Sequence, residues 1–502
     1  MTVQTFQEIF RRACWRSPNT TFLFCDGESI TYAEANRLSD AIAAAFREAG
    51  LVPGDRLDLV MANSVDAVLV CLAAWKAGLL PVMIDPRAAD DDLAYYAGFA
   101  APAALVYDDA LEDRLRHAVD VRLRVPRQGD GQGASLRRYK QQAVSAFQDV
   151  TDTTLGANLS FTTGTTGRPK GVVLPHGPVA LATACIAERM ALGASDVILH
   201  PGPMSSSFHL VALLLPGMHR CATMGMLSQW DPAAGWRTIE EHGVTVFTAY
   251  PMILADLVEH ARRYEKRSAT LRLAMSGGST TAMEVKRRYQ RHLGIPLIES
   301  YGQSELGGFI ALGDPRHAID DHPYAPGRPL PDKTVAIFGA DDVELPIGEY
   351  GEIVLRGGFM NEYWNAPEQT ARTLRGGWLH SGDIGRMDAD GFVYLLSRKG
   401  DQLEHDGRWV FLRELEEILY THPAVEHAAA LAQGQGAGGI KAYVSLLQDA
   451  STSVEQLVAF SRQHVPAYLL PAQIEILDSM PRTGSGKLNK PALKARELAL
   501  HA

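Results

Sequence analysis

The chain has 502 residues, 46% hydrophobic and 21% charged, which is ordinary for a globular protein and too long for one hydrophobic core, so two or more domains are expected. Its 48 basic and 58 acidic side chains leave a formal charge of −10, which argues against a nucleic-acid partner and means that any anionic ligand must be held by a local site. The five scattered cysteines, Cys14, Cys25, Cys71, Cys185 and Cys221, form no CxxC pair, which argues against a disulfide framework or a zinc site and fits a reducing compartment.

The opening MTVQTFQEIFRRAC has the pattern of an amphipathic helix and lacks the apolar run of a signal peptide. Tyr32 to Gly50 is alanine-rich with helical spacing and ends in glycine. Arg56–Met61 follows as a strand, Val65–Ala77 as a helix and Leu79–Ile84 as a second strand, the rhythm of βαβ units around a parallel sheet. Residues 110–150 are charged and weakly patterned, and no element is assigned there. Beyond residue 180 the alternation resumes with VILHPG, GVTVFTAYP, the helical ILADLVEHARRYEK and LRLAMSGG. The apolar LVALLLPGM near Leu210 is too short to span a bilayer and is broken by Pro216. The expected location is therefore the cytoplasm, without membrane insertion.

After about residue 330 the texture becomes that of β-hairpins with acidic turns, TVAIFGADDVELPIGEYGEIVLRG. A short SRKG stretch, residues 397–400, precedes a tail of strands (AAALAQ, IKAYVSLL) and helices (RELEEILYTH, VEQLVAFSRQHV) that reads as a small α+β domain, with GQGAGG as a hairpin turn. The expected boundaries are a core domain over 1–396, a hinge over 397–400 and a lid over 401–502.

The most informative segment is Phe161-Thr-Thr-Gly-Thr-Thr-Gly-Arg-Pro-Lys-Gly171, set between the β-like runs ANLSF and VVL. Glycines let successive backbone N–H groups turn toward a ligand, threonine hydroxyls add donors, and Lys170 adds a charge. Thr162, Thr163, Gly164, Thr165, Thr166, Gly167 and Lys170 together make a polyphosphate cradle. It is not a Walker A loop, because GxxxxGK[ST] cannot be threaded through it. Gly484-Ser-Gly-Lys487 fails the same test: the first glycine falls on Pro481, and Leu488 follows the lysine.

Further motifs come in order: Ser276-Gly277-Gly278, then Ser300-Tyr301-Gly302-Gln303-Ser304-Glu305, then Gly377-Trp-Leu-His-Ser-Gly-Asp383, then Arg398, then Pro481-Arg-Thr-Gly-Ser-Gly-Lys487. In this series, from the start to about Leu498, the chain resembles the AMP-forming adenylation superfamily, which includes acyl-coenzyme A synthetases, peptide-synthetase adenylation domains and beetle luciferases. Ser304 and Ser381 stand where the family's YGxTE and GWLxTGD motifs carry threonine. The resemblance implies an α/β fold: a large N-terminal domain of mixed sheets flanked by helices, a β-rich subdomain, and a small mobile C-terminal α+β domain.

The implied activity is ATP-dependent conversion of a carboxylic acid to acyl-AMP with loss of pyrophosphate, then acyl transfer to a thiol, coenzyme A. By the same resemblance Gly277 and Gly278 end the adenine-binding strand, Ser300, Tyr301, Gly302 and Ser304 hold the nucleotide, Glu305 partners Mg²⁺, and Asp383 with Arg398 holds the ribose. Lys487 is then the catalytic lysine. A lysine 4 Å from a unit negative charge gains about 1 kcal/mol in water and about 4 kcal/mol at an effective dielectric of 20, so it acts strongly only where a closing lid expels water. His209 occupies the region where amino-acid-activating members carry an aspartate, which implies an acid without an α-amino group. Met204, Phe208, Met275, Ser300 and Gly307 are the expected acid-pocket residues.

The family's hinge Asp or Lys is Gly400 here, Leu412 replaces a proline, and Asp406 precedes Gly407. These departures keep a second acceptor open, a carrier-protein pantetheine or an amine. A non-catalytic nucleotide-binding homologue is a third reading, against which Lys170, Glu305, Asp383 and Lys487 argue together.

Overall fold

The computed structural model describes residues 4–129, 133–162, 169–399, 403–405, 408–433, 439–484 and 486–500. The first helix, Phe6–Arg16, starts at a capping box in which the Thr5 side chain and Glu8 satisfy each other's backbone N–H groups. The same device, Thr31 with Glu34, starts the helix Tyr32–Glu48. The strand Arg56–Val60 pairs parallel with Leu80–Ile84, and the helix between them, Val65–Lys76, is buried along its whole length. This is the βαβ unit expected from the sequence.

Among the described residues the strands of the large lobe form sheets of nine, seven and five strands. The nine-stranded sheet carries Val197–Leu199, Val246–Ala249, Leu273–Ser276 and Leu297–Gln303, parallel over this stretch. The seven-stranded sheet carries the antiparallel pair Gly156–Thr162 and Lys170–Pro175, so the threonine- and glycine-rich string joins two adjacent strand ends. The LVALLLPGM run is helical and buried. Among the described residues no helix is long and apolar enough to cross a membrane.

The acidic-turn hairpin appears as Lys333–Phe338 against Gly351–Gly357, in the five-stranded sheet. Its neighbour Trp378–Met387 pairs with Val393–Arg398, which sets Arg398 opposite Asp383. The Lys399 N–H still donates to the Gly382 carbonyl at 2.8 Å. Residues 397–399, expected in the hinge, are thus fastened to the large lobe by the sheet ladder; Gly400 and Asp406 lie outside the described residues.

The small lobe has its own core around Leu415, Val425, Val444, Leu457 and Leu469. Its sheet of Val425–Ala432, Ile440–Leu446 and Gln473–Leu477 is flanked by the helices Leu412–Tyr420, Val454–His464 and Lys490–Leu500. The turn expected at GQGAGG falls almost wholly outside the described residues. The lobes meet directly: Glu417 accepts from the Met283 N–H at 2.8 Å, and Arg288 donates to the Val425 carbonyl at 3.1 Å.

Candidate active site

A cavity of about 710 Å³ lies where the three sheets and the small lobe converge. Thr162 and Lys170 reach it from the ends of their paired strands, Gly302, Ser304 and Glu305 from the end of Leu297–Gln303, Arg398 from the five-stranded sheet, and Lys487 from the small lobe. Thr163, Gly164, Thr165, Thr166 and Gly167 lie outside the described residues.

The end of the site next to Arg398 is built from paired groups. Asp383 is buried and accepts the Tyr301 hydroxyl at 2.7 Å. Its other oxygen is 3.0 Å from Arg398 Nε, and Gln303 donates to both Asp383 and the Ser381 carbonyl. Burial pushes the Asp383 carboxyl above its usual range, while Arg398, Tyr301 and Gln303 pull the other way. Tyr301 and Asp383 sit behind the cavity wall, and Arg398 is exposed on it.

The opposite end carries two lysines. Lys170 Nζ lies 4.9 Å from the centre of the Tyr363 ring, and the Tyr363 hydroxyl donates to Glu305 Oε1 at 2.9 Å. Lys487 Nζ lies 5.0 Å from the centre of the Tyr250 ring. Among the described residues neither lysine forms an ion pair. Burial lowers the Lys487 ammonium from its usual 10.5 to about 8. The Ser207 and Ser304 hydroxyls are 2.9 Å apart, and Tyr250 donates to Ser206 at 2.7 Å, so hydroxyls floor the space between the lysines. Glu305 is the carboxylate beside this space, a ligand type suited to a hard divalent cation.

Two glycines make the approach possible. A Cβ on Gly277 would fall 2.3 Å from Ser300 Oγ and 2.7 Å from the Phe208 ring. Gly278, with φ +77°, would place a Cβ 2.6 Å from the Tyr250 ring and 2.9 Å from Lys487 Cε. Ser300 itself points away from the cavity to the Ser276 carbonyl, 2.9 Å distant.

Of the expected acid-pocket residues, Phe208 lines the cavity, whereas Met204, Met275, Ser300 and Gly307 do not. Met275 belongs to a strand with neighbours on both sides and is fully buried. Gly307, at φ +58°, closes the turn after Glu305 against Val179. His209 also turns away. Phe208 and Val211, three residues apart on one helical face, look into the cavity, and His209 points into the core, 5.5 Å from the His200 ring. Burial holds His209 neutral, the neighbouring His200 acts in the same direction, and neither ring nitrogen makes an aligned hydrogen bond. The apolar lining missed from the sequence includes Val211 and Phe309, next to Gly308. Its signal was available in the three-residue spacing from Phe208 and in the strand alternation after Gly307.

The family model for the AMP-binding enzyme matches residues 10–364, and that for the AMP-binding enzyme C-terminal domain matches residues 414–487. A feruloyl-CoA synthase from an Amycolatopsis species is 28% identical over 487 residues, covering 96% of each chain. Among solved structures, the amide bond synthetase McbA from Marinactinospora thermotolerans matches with a TM-score of 0.85 at 28% identity, covering 98% of this chain and 99% of that one. The anthranilate CoA ligase AuaEII, solved with anthranoyl-AMP, shares the fold with a TM-score of 0.92 at 21% identity, covering 100% of this chain and 99% of that one. The chain therefore belongs to the AMP-binding enzyme family and is built as an AMP-forming ligase of the acyl-coenzyme A synthetase type.

Proposed function

We propose that the protein condenses ATP with a carboxylic acid lacking an α-amino group, releasing pyrophosphate, and passes the acyl group of the resulting acyl-AMP to a thiol, coenzyme A. The observation that carries this reading is the placement of Lys487, from the small lobe, in one cavity with Lys170, Ser304 and Glu305 from the large lobe. Attack of a carboxylate on the α-phosphate brings an anion onto an anion, so the work of the site is positioning and charge neutralisation. Lys170 and the Thr162–Gly167 string would hold the β- and γ-phosphates, and Ser304 would donate to a phosphate oxygen. Lys487 would bridge the α-phosphate and the attacking carboxylate. Asp383 would accept from the ribose diol, with Arg398 beside it.

Glu305 would hold Mg²⁺, which when bound supplies compensating charge to the phosphates. The segment Ser205–Val211 carries no carboxylate, which supports a substrate without an ammonium group. Phe208, Val211 and Phe309 give that substrate an apolar wall.

The direct test is hydroxamate trapping across carboxylic acids, from short to long and aliphatic to aromatic. Acid-dependent hydroxamate with matching pyrophosphate release is expected, and its absence with every acid would refute the reading. A second reading concerns the acceptor. Leu412 stands at the first residue of its helix, a position that suits proline, and 28% identity over nearly full length to an amide bond synthetase favours an amine or a carrier pantetheine as the alternative. Supplying coenzyme A, a loaded carrier protein or an amine to the trapped activity, with mass detection of the product, separates them.

A further inference from the structure

The helix Pro251–Arg263 begins immediately after Tyr250, the ring that receives Lys487. It presents Met252, Ile253 and Asp256 to the small lobe. Met252 shares an apolar cluster with the small-lobe residues Ala429, Leu431 and Met480. Ile253 Cδ1 lies 3.1 Å from where a Cβ on Gly486 would stand, so the loop rests directly on the helix. Asp256 takes both terminal nitrogens of Arg482, at 2.6 and 2.8 Å. Trp230 donates to the same carboxylate at 3.1 Å, and His427 Nε2 stands 3.8 Å from it.

Arg482 and Lys487 are the two ends of one tight loop. The Thr483 N–H donates to the Lys487 carbonyl at 2.8 Å, the Gly486 N–H to the Thr483 carbonyl at 2.9 Å, and Arg482 bridges Leu488. A grip on Arg482 is therefore transmitted through a single turn to the lysine.

We propose that Asp256 and Arg482 are a positioning pair for adenylation: their forked ion pair fixes the small lobe in the orientation that delivers Lys487 into the cavity. Neither residue lines the cavity, so both act through the lysine. The proposal rests on the reading of Lys487 as the adenylating lysine. Burial works against the Asp256 charge, yet Arg482 and His427 hold its carboxyl well below the usual range, so the pair is charged throughout the working pH range.

The test is a double-mutant cycle on acid-dependent ATP–pyrophosphate exchange, with Asp256→Asn, Arg482→Gln and Arg482→Lys made in the native and Lys487→Ala backgrounds. In the native background the first two should lower kcat about 10-fold with the KM for ATP nearly unchanged, as expected when a charged, forked hydrogen bond no longer favours one of two lobe orientations. Arg482→Lys, which keeps the charge, should lose less. In the Lys487→Ala background none should cost anything further, because the group they position is gone. Native exchange in Asp256→Asn and Arg482→Gln beside a crippled Lys487→Ala would overturn the proposal alone, as would losses that multiply with that of Lys487→Ala. Native exchange in Lys487→Ala would remove the role of the lysine, and this proposal with it. The Arg482 side chain is 34% exposed, so its two variants keep the test open even if Asp256→Asn misfolds.

Discussion

The two ends of the cavity follow opposite electrostatic plans. At the Arg398 end the buried Asp383 is answered within the large lobe by Arg398, Tyr301 and Gln303. At the other end Lys170 and Lys487 face aromatic rings and, among the described residues, form no ion pair, with the Glu305 carboxylate held by Tyr363 beside them. A site of the first kind is preorganised and has little to gain electrostatically from a charged ligand. A site of the second kind keeps cations that no ion pair holds, so it gains from an anion arriving from outside. The first is secured wholly by a sheet ladder, the second is divided between a strand end of the large lobe, at Lys170, and a loop of the small lobe, at Lys487.

The most severe way to break the contrast is Lys487→Ala. It should cost about 10²–10³ in pyrophosphate exchange, the size typical of removing one preorganised transition-state donor. Thermal unfolding should be unchanged, because the lysine makes no ion pair to lose; equal exchange in the variant and the native enzyme would abolish the distinction between the two ends.

Asp383→Asn should show the opposite signature. It removes the charge that Arg398 answers, so it should lower kcat/KM for ATP by about 10-fold and also lower the melting temperature, since it leaves a buried network half satisfied. A variant that lost activity but kept native stability would mean that the Arg398 end is not the rigid one.

The smallest effect is in the pH profile. Lys487 is a cation below about pH 8 in the free enzyme, so kcat/KM for adenylation should fall as pH rises through that value. The ordinary 10.5 would put the fall more than two units higher. Bound ATP, being anionic, favours the ammonium, so the profile of kcat should break at higher pH than that of kcat/KM. Coincident breaks in the two profiles would show that the lysine does not meet the phosphates.

Much of the fold was legible because its elements are long and strongly patterned. The βαβ unit around Val65–Lys76, the strand pair flanking the phosphate string and the helices of the small lobe all lie where periodicity put them. Residues 110–150 were not legible because their elements fall below the length at which periodicity is informative. Glu112–Leu115, Leu123–Pro126 and Leu136–Gln141 have four to six residues each. The stretch over 142–150 is held by tertiary contacts, such as the Val150 N–H on the Lys76 carbonyl at 2.8 Å.

In the site, motif order named Lys170, Glu305, Arg398 and Lys487, which line one cavity, and Asp383, which sits behind its wall, because each motif ends a strand or loop near there. It did not say which side of a helix faces inward, which is why His209 was expected at the substrate while Val211 was not, nor that Met204, in the turn before that helix, is tied to Asn63. Nor could motif order show Arg482 meeting Asp256, a contact between positions 226 residues apart.

Gly278 carries one last consequence. The space a methyl group would need there is already taken by the Tyr250 ring on one side and the Lys487 stem on the other, and its φ of +77° suits no other residue well. Alanine at this position would act as a doorstop between the ring and the lysine stem, so that the small lobe could not seat Lys487 where it now stands. A single added carbon is thus expected to slow the chemistry by keeping the lysine out of the cavity.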